Sequence, residues 1–262
     1  MQHAHRPRSV RARIGAVLND ERSRWYFFIN DAIAFIIVIS VCMLILETVP
    51  SIGVKYAVQF RIAETVVMTI FTVEYLLRIW VAERRMRYMG SFFGIIDLVA
   101  IVPGLLAALF PAAFAYHTLS IFRILRVLRI LRTLRLVRFV LPSKRRVQMA
   151  RDMANGIAIF NIEIFLFAFF SAVVLAGALM HAIEGTVPGT KFASIPDGMW
   201  WAMVTMTTVG YGDYVPATVG GKIVASFTML AGLVFLALLV AVMGRTMQTV
   251  LFGSPLEGRT RE

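Results

Sequence analysis

The chain has 262 residues, of which 59% are hydrophobic and only 16% charged, with a formal charge of +12. A soluble domain of that size would be left with far too much apolar surface, so the composition points to a membrane protein, and the apolar spans that follow make an all-α one the expectation. Cys42 is the single cysteine, which excludes an intrachain disulfide and a cysteine zinc cluster.

Spans of about twenty mostly apolar residues, enough to cross roughly 30 Å of hydrocarbon, recur along the chain. The first runs from Tyr26 to Leu46, behind a basic tail of Arg6, Arg8, Arg11, Arg13, Arg22 and Arg24. That tail is not expected to be a secretory leader. The span behind it is full length, contains Asp31 and has no small-residue cleavage site after it. A second span, Phe60 to Ala82, is followed by Arg84, Arg85 and Arg87, and a third runs from Phe92 to Phe114.

The fourth segment, Thr118 to Leu141, is apolar except that Arg123, Arg126, Arg129, Arg132, Arg135 and Arg138 recur at every third position. On an α-helix a step of three turns each arginine back by about 60°, giving a slow spiral, whereas a 3₁₀ stretch aligns them as a stripe. Either arrangement is a charge ladder. Each charge at the bilayer centre costs roughly 2.5 to 3.5 kcal/mol on insertion scales, so the ladder needs counter-charges or water crevices. Glu64 and Glu74 in the second span and Asp97 in the third are the expected partners. Each unit charge that crosses the field exchanges about 2.3 kcal/mol per 100 mV, so voltage is able to drive such a ladder.

Residues 142–156, with Lys144, Arg145, Arg146 and Arg151 beside Val147, Ala150 and Ala154, read as a short amphipathic helix on the inner membrane surface. Two further spans follow, Ile157 to Ile183 and Ile223 to Val250. The basic clusters outnumber the charges of the intervening loops, which places six crossings with both termini cytoplasmic.

Between the last two spans, Ser194, Pro196 and Asp197 mark the start of a short re-entrant helix that should end near Met206. It leads into Thr207-Thr208-Val209-Gly210-Tyr211-Gly212-Asp213, which contains the sequence of a potassium filter. A row of carbonyls aimed at one axis needs alternating backbone conformations, and Gly210 and Gly212 tolerate positive φ. Ions would bind the carbonyls of Thr208, Val209, Gly210 and Tyr211, with the Thr208 hydroxyl at the inner end. Trp200 and Trp201 fall where they would brace Tyr211, and Asp213 lies just outside the glycines. One filter per chain implies four chains around the axis. A sodium or calcium filter would instead be lined with acidic side chains.

Together these residues resemble the six-transmembrane voltage-gated potassium channels, over roughly Trp25 to Met247. The resemblance implies a tail (1–24), a voltage sensor (25–141), a coupling helix (142–156), a pore domain (157–250) and a second tail (251–262). It implies a charge-transfer site at Phe71, Glu74 and Arg78, with Asp97 as the third-helix acid. Gly232 resembles the family's gating hinge, although a small residue in a membrane helix also serves close packing. Leu239-Val240-Ala241 replaces the Pro-Val-Pro of many animal members, so a proline-kinked gate is not expected, and a straighter inner helix or a bend elsewhere takes its place. No tetramerisation domain is expected before Trp25 and no nucleotide-binding domain after Phe252, which looks like a minimal, prokaryotic-like member.

The expectation is a homotetrameric, depolarisation-activated potassium channel of the cell membrane. The alternative is a hyperpolarisation-activated channel of the same architecture. An enzyme is not expected, nor a cofactor beyond potassium ions in the filter, nor a nucleic-acid partner. Membrane lipids are the expected surroundings, with anionic ones at the arginines.

Overall fold

The computed structural model describes residues 14–15, 24–82, 84–109 and 156–252. All regular structure among them is helical: α1 (Arg24–Glu47), α2 (Pro50–Gly53), α3 (Ala57–Val81), α4 (Arg85–Met89), α5 (Phe92–Leu109), α6 (Gly156–Glu184), α7 (Ile195–Met206) and α8 (Val219–Phe252). The arginine ladder, residues 142–155 and both tails beyond these limits lie outside the described residues. By length and composition Ile164–Glu184 and Val219–Gly244 suffice to cross a membrane. The chain forms two compact units, which are taken separately.

In the first unit, α1, α3 and α5 each turn one stripe inward. Ile37, Val41 and Leu44 supply it on α1, Val67, Phe71 and Tyr75 on α3, and Ile96, Ala100 and Ile101 on α5. On α1 and α3 the spacings of three and four residues bring side chains to one face of a helix, and on α5 Ile96 and Ala100 repeat that spacing with Ile101 alongside. Outside that stripe the helices stay apolar but bare: Phe28, Phe35, Val58, Ile62 and Leu76 are all exposed. An apolar exterior of this extent suits lipid or a partner subunit.

The threonine hydroxyls of α3 are satisfied locally. Thr65, Thr69 and Thr72 donate to the carbonyls of Arg61, Thr65 and Met68, at 2.9, 2.8 and 2.8 Å. Such bonding one turn back lets a hydroxyl sit in an apolar helix without an orphaned donor. Ser91 starts α5, accepting from the Gly94 N–H at 3.1 Å.

In the second unit α7 is wedged between α6 and α8, and glycines make the wedge possible. A Cβ on Gly177 would lie 2.5 Å from the Met199 nitrogen and 2.7 Å from the Gly198 carbonyl carbon. Gly198 in turn lies against the Gly177 backbone, so α6 and α7 cross at backbone contact. On the other side a Cβ on Gly232 of α8 would lie 2.7 Å from the Met206 Cα. Around these crossings Val173, Met180, Phe192, Trp201, Ala202, Met206 and Ala225 form the buried core. Phe165 and Phe169 of α6 meet Phe235 of α8 edge to face, with centroids 6.0 and 5.6 Å apart. α8 runs unbroken for 34 residues and contains no proline.

Candidate functional site: the loop between α7 and α8 and the acids of α3 and α5

The start of α7 is a complete capping box. Ser194 Oγ accepts from the Asp197 N–H at 3.4 Å, and Asp197 Oδ2 accepts from the Ser194 N–H at 2.9 Å and its hydroxyl at 2.6 Å. An aspartate thus does what glutamate or glutamine usually does at this position, and its charge stands at the positive end of the helix dipole. The Tyr214 hydroxyl donates to Asp197 Oδ1 at 3.2 Å, tying the far side of the loop to the cap. Burial, then the Asp197 carboxylate, hold the Tyr214 phenol above its ordinary range, so it remains a donor at neutral pH.

α7 ends at Met206, as its sequence predicted, and the chain leaves it through Thr207. The Thr208 N–H donates to the Thr205 carbonyl at 3.1 Å, and the Val209 and Gly210 N–H groups share the Val204 carbonyl at 3.1 and 3.2 Å. Thr208, Gly210 and Gly212 then have φ of +63°, +61° and +77°. Every second residue is therefore left-handed. Threonine is a genuine outlier there, because its branched Cβ crowds the carbonyl, and such strain persists only where the surroundings impose it. Positive φ at Thr208 is not readable from the residue type. Around Gly210 and Gly212 nothing lies within 4 Å of a built Cβ, so glycine is required there by conformation and not by space.

Two tryptophans that look equivalent in sequence part company. Trp200 stacks on Tyr211, with centroids 5.9 Å apart and an interplanar angle of 12°, and its Nε1 donates to Asp213 Oδ2 at 2.7 Å. Trp201 turns into the core and meets Phe192 at 6.0 Å and 82°. Within the chain, the ring that braces Tyr211 is therefore that of Trp200. Val209 and Tyr211 are exposed, 53% and 68%, on the face this loop presents.

Glu184, at the end of α6, was not singled out from the sequence. It is 1% exposed and accepts from the Ala217 N–H at 3.0 Å, the Thr218 N–H at 2.9 Å and the Thr218 hydroxyl at 2.6 Å. One carboxylate therefore ties α6 to the turn that follows the loop. Its only sequence signal is an acid closing an apolar span, since its partners are 33 and 34 residues away.

In the other unit Phe71 and Asp97 are 1% exposed and Glu74 is 7% exposed. Arg78 Nε donates to Glu74 Oε1 at 2.7 Å, one helical turn away. Asp97 on α5 lies within electrostatic range of both Arg78 and Tyr75. Phe71, Glu74 and Arg78 thus share a face of α3 opposite the acid of α5. Glu64 sits apart from them, in a narrow cleft against α1 with Ser40, Leu44 and Glu47.

These two constellations can be set beside known proteins. Residues 25–251 match the family described as ion transport protein. The chain belongs to that family. It is a family of ion transporters and not of enzymes. The chain is 34% identical over 244 residues to a protein of Rhodopseudomonas palustris whose name is that of a potassium channel, covering 88% of this chain and 56% of that one. It is 36% identical over 224 residues to the human A-type voltage-gated potassium channel KCND3, covering 79% of this chain and 32% of the relative. The Drosophila melanogaster potassium voltage-gated channel protein Shal is 35% identical over 225 residues, with 79% and 37% covered. The chain therefore spans about half the length of the first of these relatives and about a third of the other two.

Proposed function

We propose that the chain is a subunit of a voltage-gated, potassium-selective channel that works as a homotetramer, with six crossings of the cell membrane and both termini cytoplasmic. The observation that carries this reading is the alternation of positive φ at Thr208, Gly210 and Gly212. A backbone that flips at every second residue directs successive carbonyls to one side. The carbonyls of Thr208, Val209, Gly210 and Tyr211 would then replace the hydration shell of a potassium ion, with the Thr208 hydroxyl closing the inner end. The carbonyl end of α7 directs its partial negative charge towards the entrance of the same path. Four copies around an axis complete the ring and cover the bare faces of Val209, Tyr211 and α8.

Voltage would act through Arg123, Arg126, Arg129, Arg132, Arg135 and Arg138, exchanging partners among Glu64, Glu74 and Asp97 as they pass Phe71. Depolarisation would move the ladder outward, and residues 142–156 would transmit the movement to α8. Gly232 enters here twice. Its contact with Met206 accounts for the glycine through packing, and a bend at the same point would move the end of α7. Anionic lipids would meet the cytoplasmic arginines.

The test is current from purified protein in planar bilayers, with potassium on one side, sodium on the other and voltage stepped in both directions. Potassium-selective current that rises steeply on depolarisation is expected, and neutralising Arg126 or Arg129 should flatten its voltage dependence. Unselective current from an assembled tetramer would overturn the filter reading, and voltage-independent current the sensor reading.

A further inference from the structure

The two halves of the loop after α7 are held by different means. The N–H groups of Thr208, Val209 and Gly210 all bond to backbone carbonyls of α7. From Tyr211 to Tyr214, among the described residues, no backbone–backbone hydrogen bond is made. The chain there does not fix itself: Gly212 has φ of +77°, nothing lies within 4 Å of a built Cβ, and glycine populates φ of either sign about equally. Three side-chain bonds hold it instead. Two meet at Asp213, from Trp200 at 2.7 Å and from Lys191 at 2.8 Å, and both are exposed, where water competes for them. The third is the 3.2 Å bond from the Tyr214 hydroxyl to Asp197, and it is part-buried. Its acceptor is fixed in turn, since Asp197 also receives the Ser194 N–H and hydroxyl of the capping box. The Tyr214 ring meets Phe192 of the buried core edge to face, with centroids 5.6 Å apart and 64° between the planes.

We propose that Tyr214 is a positioning residue for the filter, its hydroxyl holding the outer half of the loop in the ion-binding conformation through Asp197. The inference rests on the tetrameric channel reading and deepens it. When the bond breaks, Gly212 is free to turn and the outer carbonyls to leave the axis. Potassium binds the ordered carbonyls and not the turned ones, so by mass action it opposes the loss of order. At 3.2 Å the bond is long for two oxygens, so it takes the low end of a net hydrogen bond, about twofold in the equilibrium per chain. Four chains turning together make that about sixteen-fold. With about two ions in the filter the potassium concentration enters squared, so about fourfold more potassium offsets the lost bonds.

The experiment records single channels in planar bilayers at a voltage that opens them. It measures the fraction of time spent conducting as external potassium is lowered, with ionic strength held by an impermeant cation. Wild type is compared with Tyr214→Phe, which keeps the ring against Phe192 and removes the donor, and with tandem-linked tetramers carrying two variant chains. The potassium concentration for half-maximal conduction should rise about fourfold in the full variant and about twofold in the linked one. An unchanged potassium requirement would overturn the proposal. So would a loss of conduction that high potassium does not restore, which would make Tyr214 a part of the general fold. If the full variant does not assemble, the linked tetramers still decide the question. Absence of potassium-selective current in wild type would overturn the channel reading instead.

Discussion

Gly210 and Gly189 allow the strained backbone of the proposed filter to be tested against an internal control. Both have positive φ, +61° and +72°, and neither has any atom within 4 Å of where a Cβ would stand. Alanine at either position therefore meets no steric obstacle within its own chain, where it incurs only the left-handed penalty of about 1–2 kcal/mol per residue. At Gly189 that penalty falls on an outer loop. In the proposed filter of four chains it would amount to about 4–8 kcal/mol, comparable with the stability of a whole domain. The conducting backbone would then no longer be the lowest state. Gly210→Ala should abolish conduction or lower the potassium-to-sodium permeability ratio at least tenfold, measured by reversal potentials under bi-ionic conditions. Gly189→Ala should conduct and select as wild type does, with its thermal unfolding in detergent lowered by the same modest amount per chain. If both variants select normally, the positive φ at Gly210 does not underlie selectivity. If Gly189→Ala loses selectivity as completely as Gly210→Ala, the effect is one of general folding.

Three further outcomes follow from single contacts. Glu184→Ala removes the acceptor shared by the Ala217 and Thr218 N–H groups, which water can partly replace, and should destabilise the fold by about 1–2 kcal/mol, read from thermal unfolding in detergent; an unchanged midpoint would refute the tie. Trp200→Phe keeps a ring against Tyr211 but removes the 2.7 Å bond to Asp213, so open dwell times should shorten, and unaltered dwell times would show that the bond does not hold the outer end. Tyr75 is buried with a hydroxyl that has no hydrogen-bond partner among the described residues, so Tyr75→Phe should be stabilising by about 1 kcal/mol; a loss of stability would mean the hydroxyl has a partner in the assembled protein.

Much of this protein is legible from residue order because its elements are fixed by local chemistry. Apolar runs give the helices α1, α3, α5, α6 and α8, and Ser194, Pro196 and Asp197 mark the start of α7 to the residue. A capping box is an interaction of neighbours three positions apart, which a sequence shows directly. Gly210 and Gly212 are similarly legible, because glycine is the residue that tolerates their conformation. Only the tertiary structure separates Trp200 from Trp201, since adjacent positions on a helix point about 100° apart and the packing of α7 decides which of them meets Tyr211. Thr208 takes a left-handed conformation against its own preference because the chain on either side imposes it. Glu184 and Lys191 find their partners 22 to 34 residues away. A long-range pair leaves no periodic trace in sequence, so its existence is decided where the chain comes back on itself.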